Sequence, residues 1–503
     1  RFPSLHNFKA QIEERKSFSS EQRKLLVEVL TGQYQFINTD KVDALSNIKQ
    51  LGESNTYTVV TGHQLNIFSG PLYFLYKIIS TINLCKQLKA KYADYNFVPV
   101  YWMATEDHDF AEINHINFKG QKLTWQKEQG GPVGRFTTAG LDKVIDTLAD
   151  KMGPGTFSKE LIDLLKSSYL ESKTLADTTR SLTHQLFGKD GLVVIDGDDV
   201  MLKRSMVPYF TQELFEGVSH AEVSKASVGL QEEYFEQVNP REINLFYIKD
   251  GLRQRIVRNE DRWEVLETQL SFSKEEIEQE LHNYPERFSP NVILRPLYQE
   301  VVLPNLAYIG GGGELAYWLQ LKQMFMAYDV PFPMLNLRNS VLWIDSKSEK
   351  RIEQLGISVD ELFRPIEKVK GNFAKENAPM DMELEPYEKK LQEMFDDLED
   401  VAKLTDRSML GAVNAQRQKQ LNGLENLKKK LIRAEKKRQD ISMSRFDKIH
   451  EALFPNGSLQ ERHSNLAEVY MEHGSFFLDV LKSKLDPLDF RFMVIVPKNE
   501  AEA

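Results

Sequence analysis

The sequence predicts an α/β protein with a parallel sheet at its core, followed by a long α-helical coiled coil. Three observations predict it. Short β-rich apolar runs at residues 57–60, 97–103 and 191–199 each lead into polar residues of the kind that carry ligands. Strand, polar loop and helical periodicity follow one another in the first of these, as in a parallel sheet. From residue 383 to 454 the strand signal stops and leucines recur at helical spacing.

Residues 1–50 read as largely helical. Ser19 and Ser20 are the cap candidates ahead of Glu21 and Gln22, and the stripe Leu25, Leu26, Val29 and Leu30 ends at Gly32. The first βα unit follows at 56–83. Its β-branched run 57–60 suits a buried strand, a polar loop with Gly62 and Gly70 comes next, and Pro71 opens a helix. Leu72, Leu75, Ile79 and Ile82 share one face of that helix. In an open α/β sheet this sets His63, Gln64, Asn66, Ser69 and the free N–H groups of the first helical turn at the carboxyl end of a strand. Ligands bind there, and a helix N-terminus favours anions. Polar loop residues facing water are the plain alternative.

The second run, 97–103, contains Pro99, which is unfavourable inside a sheet. It leads into the densest group of ligand-type residues in the chain: Glu106, Asp107, His108, Asp109, Glu112, Asn114 and His115. Three readings fit this cluster. It is a substrate pocket with carboxylates and a proton-relaying histidine, a divalent-metal site, or a solvated loop with helix caps. Its spacing matches no zinc signature.

Residues 116–170 read as a glycine-punctuated insertion. The third strand, within 191–199, ends in Asp196 and Asp198, which either face the crevice or serve turn chemistry. Three short pieces over 243–270, separated by turn signals, predict a small antiparallel meander. The core returns at 288–303. A strand near 304–309 then runs into four glycines, residues 310–313, ahead of Glu314 and a helix. Such a run lets backbone approach a phosphate or carboxylate, although it is neither a Walker loop nor a dinucleotide fingerprint. Arg295 and Arg338 are anion-clamp candidates or, equally, members of structural ion pairs.

In the helical region Leu384, Leu391 and Leu398 repeat at seven, and Leu424, Leu427, Leu431, Ala434 and Ile441 form a second stripe out of register with the first. Thr405 and Asp406 mark the break. An acidic block at 383–400 and a basic block at 428–438 suit antiparallel pairing, within a hairpin or between two chains. Beyond 455 the tail is expected to pack back onto the core, with Arg462 and His463 in a surface turn or reaching toward a nucleotide.

Composition narrows the classes. At 503 residues the chain needs more than one core, and 41% hydrophobic with 27% charged residues describes a globular protein. A net charge of −10 argues against nucleic acid as partner. No run of 18 apolar residues crosses a membrane, no signal-peptide pattern opens the chain, and a cytosolic location is expected. The single cysteine, Cys85, lies in a helical apolar pattern and reads as a packed thiol.

Several of these motifs occur together in one order: Thr-Gly-His-Gln at 61–64, Phe-Ser-Gly-Pro-Leu-Tyr at 68–73 with Lys77, and Glu-Asp-His-Asp at 106–109. Arg-Pro-Leu-Tyr-Gln-Glu at 295–300, the glycine run with Glu314 and Tyr317, and Leu-Gln-Glu-Arg at 459–462 complete the series. In this the chain resembles the cysteine-adding ligases of bacillithiol biosynthesis over nearly its whole length. The resemblance implies a Rossmann-like core akin to class I nucleotidyl transferases, at 1–115 and 171–382, with a small β insertion near 240–290. It also implies a connective insertion at 116–170, a dimerising coiled coil at 383–455 and a C-terminal segment at 456–503 on the core. Gly62 and His63 match the second half of the His-x-Gly-His signature of class I adenylate-forming enzymes, while Val60 stands at the first histidine.

The implied reaction adds cysteine to the amine of glucosaminyl-malate, in a homodimer that needs no metal. No cofactor is read from the residues; ATP is the candidate co-substrate, because a free carboxylate must be activated before it forms an amide. The expected catalytic residues are His63, His108 and Asp109. Substrate binding is expected at Gln64, Asn66, Ser69, Gly70, Tyr73, Lys77, Glu106, Asp107, Asn114, Arg295, Gln299 and Glu300. Nucleotide or anion binding is expected at Gly310, Gly311, Gly312, Gly313, Glu314, Tyr317 and Arg338. The competing readings are a non-catalytic scaffold of nucleotidyl-transferase type and a metal-dependent hydrolase using His108, Asp109 and His115.

Overall fold

Five strands run parallel in the order Met334–Leu337, Asn305–Gly310, Thr56–His63, Asn96–Met103 and Val193–Asp196. They belong to a computed structural model that describes residues 1–37, 42–231, 233–379 and 384–497. The α/β class expected from the sequence is the class observed. Thr56–His63 is buried along almost its entire length, as a central parallel strand covered on both faces must be. Pro99 is accommodated because pairing with Val193–Asp196 begins only at Val100, while its other neighbour matches it with Val59.

The helix Tyr73–Lys91 follows the first strand, with Leu72, Leu75, Ile79 and Ile82 all in the core. Cys85 is buried in the same helix, and burial pushes its thiol pKa well up, as befits a packed side chain. Near the N-terminus Ser19 caps the helix Ser20–Gln33 through a capping box with Gln22. That helix runs through Gly32 to Gln33, because Gly32 keeps right-handed backbone and stops nothing.

A second sheet is antiparallel, in the order Phe288–Pro290, Leu245–Lys249, Leu252–Asn259, Arg262–Val265 and Ser271–Phe272. Residues 115–187 supply the hairpin His115–Phe118 and Gln121–Thr124, then the helices Leu141–Met152, Thr156–Leu170 and Leu175–Phe187. The chain divides into two compact units. One is residues 1–341 with 461–493, and the other is 342–460 with the residues from 494 onward.

In the second unit Glu385–Thr405 and Leu410–Arg438 pack as an antiparallel hairpin that turns at Asp406. Ion pairs fix its register: Arg417 lies 2.8 Å from Asp396 and 3.0 Å from Glu399, and Lys428 lies 3.0 Å from Glu385. Phe395 and Ala402 are buried, whereas Val401, Leu404, Leu427 and Ile441 are exposed. Among the described residues no helix is long and apolar enough to cross a membrane.

Candidate functional site

Because the core strands are parallel, the loops after Thr56–His63 and Asn96–Met103 leave the same rim of the sheet. Gln64 ties them together, its Nε2 donating to Asp107 Oδ2 at 3.0 Å and to Glu112 Oε2 at 2.6 Å.

The first loop has an unusual backbone. Phe68, Ser69 and Gly70 all have positive φ, at 51°, 69° and 60°. At Gly70 a Cβ would also lie 2.5 Å from that of Asn66, so glycine is required twice over. Outside partners hold this conformation. The Phe68 amide donates to Tyr169 Oη at 2.7 Å, and Asn465 Nδ2 donates to the carbonyls of Phe68 at 2.9 Å and Gly70 at 2.7 Å.

His63 packs against Tyr73 and Phe74. Burial lowers its pKa well below the usual histidine value, and Lys77 and Arg338 lower it further, so the imidazole is neutral. Lys77 is buried and reaches back along its helix to the Gly62 carbonyl and to Glu314, at 2.7 and 2.9 Å from the two carboxylate oxygens. Tyr308 donates to the same carboxylate at 2.8 Å. Burial lowers the Lys77 pKa against the opposing pull of Glu314.

The second loop is held from below by a chain of alternating charges. Arg135 forks onto Asp198 at 2.7 and 2.9 Å. Lys203, with no exposed surface, lies 3.4 Å from Asp198 and 2.5 Å from Glu106. Thr105 donates to Asp196, and the amides of Val133 and Gly134 donate to the carbonyls of Asp107 and Thr105 at 2.7 and 2.8 Å. Burial raises the Glu106 pKa while Lys203 opposes the rise. Burial also acts upward on Asp107, but hydrogen bonds from the His108 side chain, Gln64 and the His108 amide outweigh it and hold that carboxyl well below the usual range. Asp109 caps the short helix Phe110–Ile113, and His108 Nδ1 lies 2.6 Å from Arg253 Nη1.

Glu106 and Asp107 line a cavity of about 480 Å³ together with Arg241, Arg253, Arg255 and Arg295. Arg253 also stacks over the Phe246 ring at 3.9 Å. Arg241 and Arg255 pair with no carboxylate among the described residues. Of these arginines only Arg295 was among the expected site residues. Arg253 and Arg255 sit two apart on one strand, flanking Gln254, so they share a face, and that period of two was the available signal.

A second cavity, of about 360 Å³, is lined by Gln64, Asn66, Gly70, Tyr73, Glu112, His115, Arg462 and His463 among others, and Gln64 links it to the first through Asp107. The segment after the coiled coil thus reaches the site instead of forming a bare surface turn.

Other expected residues lie elsewhere or are engaged. Glu300 is buried beyond the amino end of Asn305–Gly310, 3.4 Å from Arg15, and accepts from Asn305 at 2.7 Å and Gln299 at 2.9 Å. Gln299 therefore faces that buried group and Arg295, which donates to it at 3.2 Å. Arg338 pairs with buried Glu461 at 2.6 Å and covers the Tyr73 ring. Arg295 neighbours Tyr317 and Tyr308. Gly311 caps the helix Gly312–Gln320 without any side-chain cap, and Gly312 and Gly313 have open space where a Cβ would be. Asn114 meets only His115, at 3.1 Å, through its side chain. Among the described residues no three His, Cys, Asp or Glu side chains are grouped so as to hold a metal ion.

Fold and site define the class: a parallel-sheet α/β protein with two polar cavities at the carboxyl rim and a helical hairpin unit. The comparisons make this specific. Residues 1–339 match the family model of the bacillithiol biosynthesis BshC N-terminal Rossmann-like domain, and 341–497 match that of its C-terminal coiled-coil domain. The chain belongs to the BshC family. A relative from Flavobacterium johnsoniae is 50% identical over 98% of this chain and 93% of its own, and one from Flavobacterium psychrophilum is 47% identical over the same shares. A relative from Bacillus anthracis is 29% identical over 88% of this chain and 84% of its own. All three carry the name "Putative cysteine ligase BshC".

Proposed function

We propose that this chain is an amide-forming ligase that adds cysteine to the amine of glucosaminyl-malate in the last step of bacillithiol biosynthesis. The observation that carries the proposal is the cavity lined by four arginines beside Glu106 and Asp107. A malate group brings two carboxylates, which guanidinium forks bind in a planar, paired geometry. A sugar amine and hydroxyls suit the two acidic residues. Asp107, held ionised, anchors the ammonium, and Glu106, whose proton affinity is raised, takes the proton released as the amine attacks. His63 is neutral and also able to accept a proton, whereas His108 orients Arg253 and Asp109 orients the following turn.

ATP is the proposed co-substrate, with its phosphates at the uncapped N-terminus of Gly312–Gln320. The exposed apolar residues of the helical hairpin support a homodimer formed through it.

The direct test supplies purified protein with cysteine, glucosaminyl-malate and ATP and follows the thiol product by mass spectrometry. Arg253→Met with Arg255→Met is expected to raise KM for glucosaminyl-malate at least tenfold. Full activity after His63→Ala would remove it from the catalytic set, and full activity after Asp109→Ala would leave Asp109 no role in the site. A protein that binds neither glucosaminyl-malate nor nucleotide is a scaffold.

A further inference from the structure

The cavity lined by Gln64 and Glu112 differs in chemistry from the arginine-lined one. Its lining carries a single carboxylate, Glu112, and a single guanidinium, Arg462, together with His115, His463 and the side-chain amides of Gln64, Asn66 and Asn117. Arg462 pairs with no carboxylate among the described residues, so its charge is open to a ligand.

Although Arg462 is exposed, the backbone that presents it is fixed at both ends. Before it, buried Glu461 accepts from Arg338 at 2.6 Å and from the Val341 amide at 3.1 Å. After it, the Ser464 carbonyl accepts from the Leu72 amide at 2.9 Å, and Asn465 grips the carbonyls of Phe68 and Gly70. Glu112 is fixed by Gln64 at 2.6 Å.

One anion and one cation lining the same small cavity match a zwitterion: an ammonium at Glu112 and a carboxylate at Arg462. The first cavity, with four guanidiniums, suits a polyanion instead. We infer that the Glu112–Arg462 cavity is the subsite for the free α-amino acid, cysteine, an assignment that rests on the ligase reading above. The two subsites are then linked through Gln64, which donates to Asp107 in the lining of one and to Glu112 in the lining of the other.

Calorimetric titration of the full chain under reducing conditions tests this, with L-cysteine and glucosaminyl-malate as separate probes. Arg462→Met and Glu112→Gln alter exposed side chains, so both variants should fold, which circular dichroism checks. Each is expected to weaken cysteine binding at least tenfold while leaving glucosaminyl-malate binding unchanged. Cysteamine, which lacks the carboxylate, should bind the parent and Arg462→Met alike. Cysteine affinity unchanged in both variants overturns the assignment. So does loss of both ligands in a folded variant, or a parent protein that binds glucosaminyl-malate but no cysteine. A parent that binds neither ligand removes the ligase reading itself, which separates the two failures.

Discussion

Replacing Gly313 by alanine separates a structural glycine from one kept clear for a ligand. Gly312 and Gly313 lie in the first turn of Gly312–Gln320 with right-handed backbone, and a Cβ at either would meet nothing within 4 Å. Neither conformation nor packing in the chain therefore calls for glycine. Alanine removes backbone freedom from the unfolded state and stabilises a helix by about 0.5–1 kcal/mol over glycine. For a unit of this size that is a rise of roughly 0.5–1.5 °C in Tm. If phosphates sit against these amides, the added methyl group holds them off, and ATP affinity should fall at least tenfold. Differential scanning fluorimetry and calorimetric titration with ATP read the two effects on one sample. A variant that is more stable and binds ATP as tightly as its parent would refute the anion-binding role of the glycine run.

Burial raises the Glu300 pKa from 4.5 to about 7. The folded state then holds a proton between those values that the unfolded state has lost, so this group's contribution is full below pH 4.5 and disappears as the pH rises through 7. The whole difference is about 3 kcal/mol, and Glu300→Gln should flatten the decline in urea stability between pH 5 and 7.5 by that amount. Lys203→Met strands Glu106 as a buried negative charge, while Asp198 keeps Arg135, and should cost about 3–5 kcal/mol in chemical denaturation, with adding Glu106→Gln recovering part of it. Light scattering should find the parent dimeric, and glutamate at Val401 and Leu404 together should make it monomeric; a dimer that survives both changes assembles through another surface.

Much of the architecture was legible because parallel-sheet chemistry is local. The run 57–60, the loop after it and the stripe Leu72, Leu75, Ile79, Ile82 each declare their state within a few residues. The polar segments at 63–73 and 104–115 were visible for the same reason, since each directly follows a strand. What escaped notice depends on pairs far apart in sequence. Lys203 meets Glu106 only once a short helix folds beneath the sheet rim. Glu300 shares a motif with Arg295, yet one helix carries them toward different surroundings, and its partner Arg15 lies 285 residues earlier in the chain. The arginines of 252–259 read only as part of a meander, because alternation along a strand marks two faces without saying which one meets a cavity.

The grip of Asn465 on the carbonyls of Phe68 and Gly70 joins the loop after the first core strand to a segment that follows the helical hairpin in sequence. A nascent polypeptide emerging from the ribosome can thus complete its sheet long before it completes its binding loop. That loop gains its partner only after the helical hairpin has been synthesised, so a chain interrupted within the hairpin would hold its sheet yet lack the contacts that fix residues 68–70.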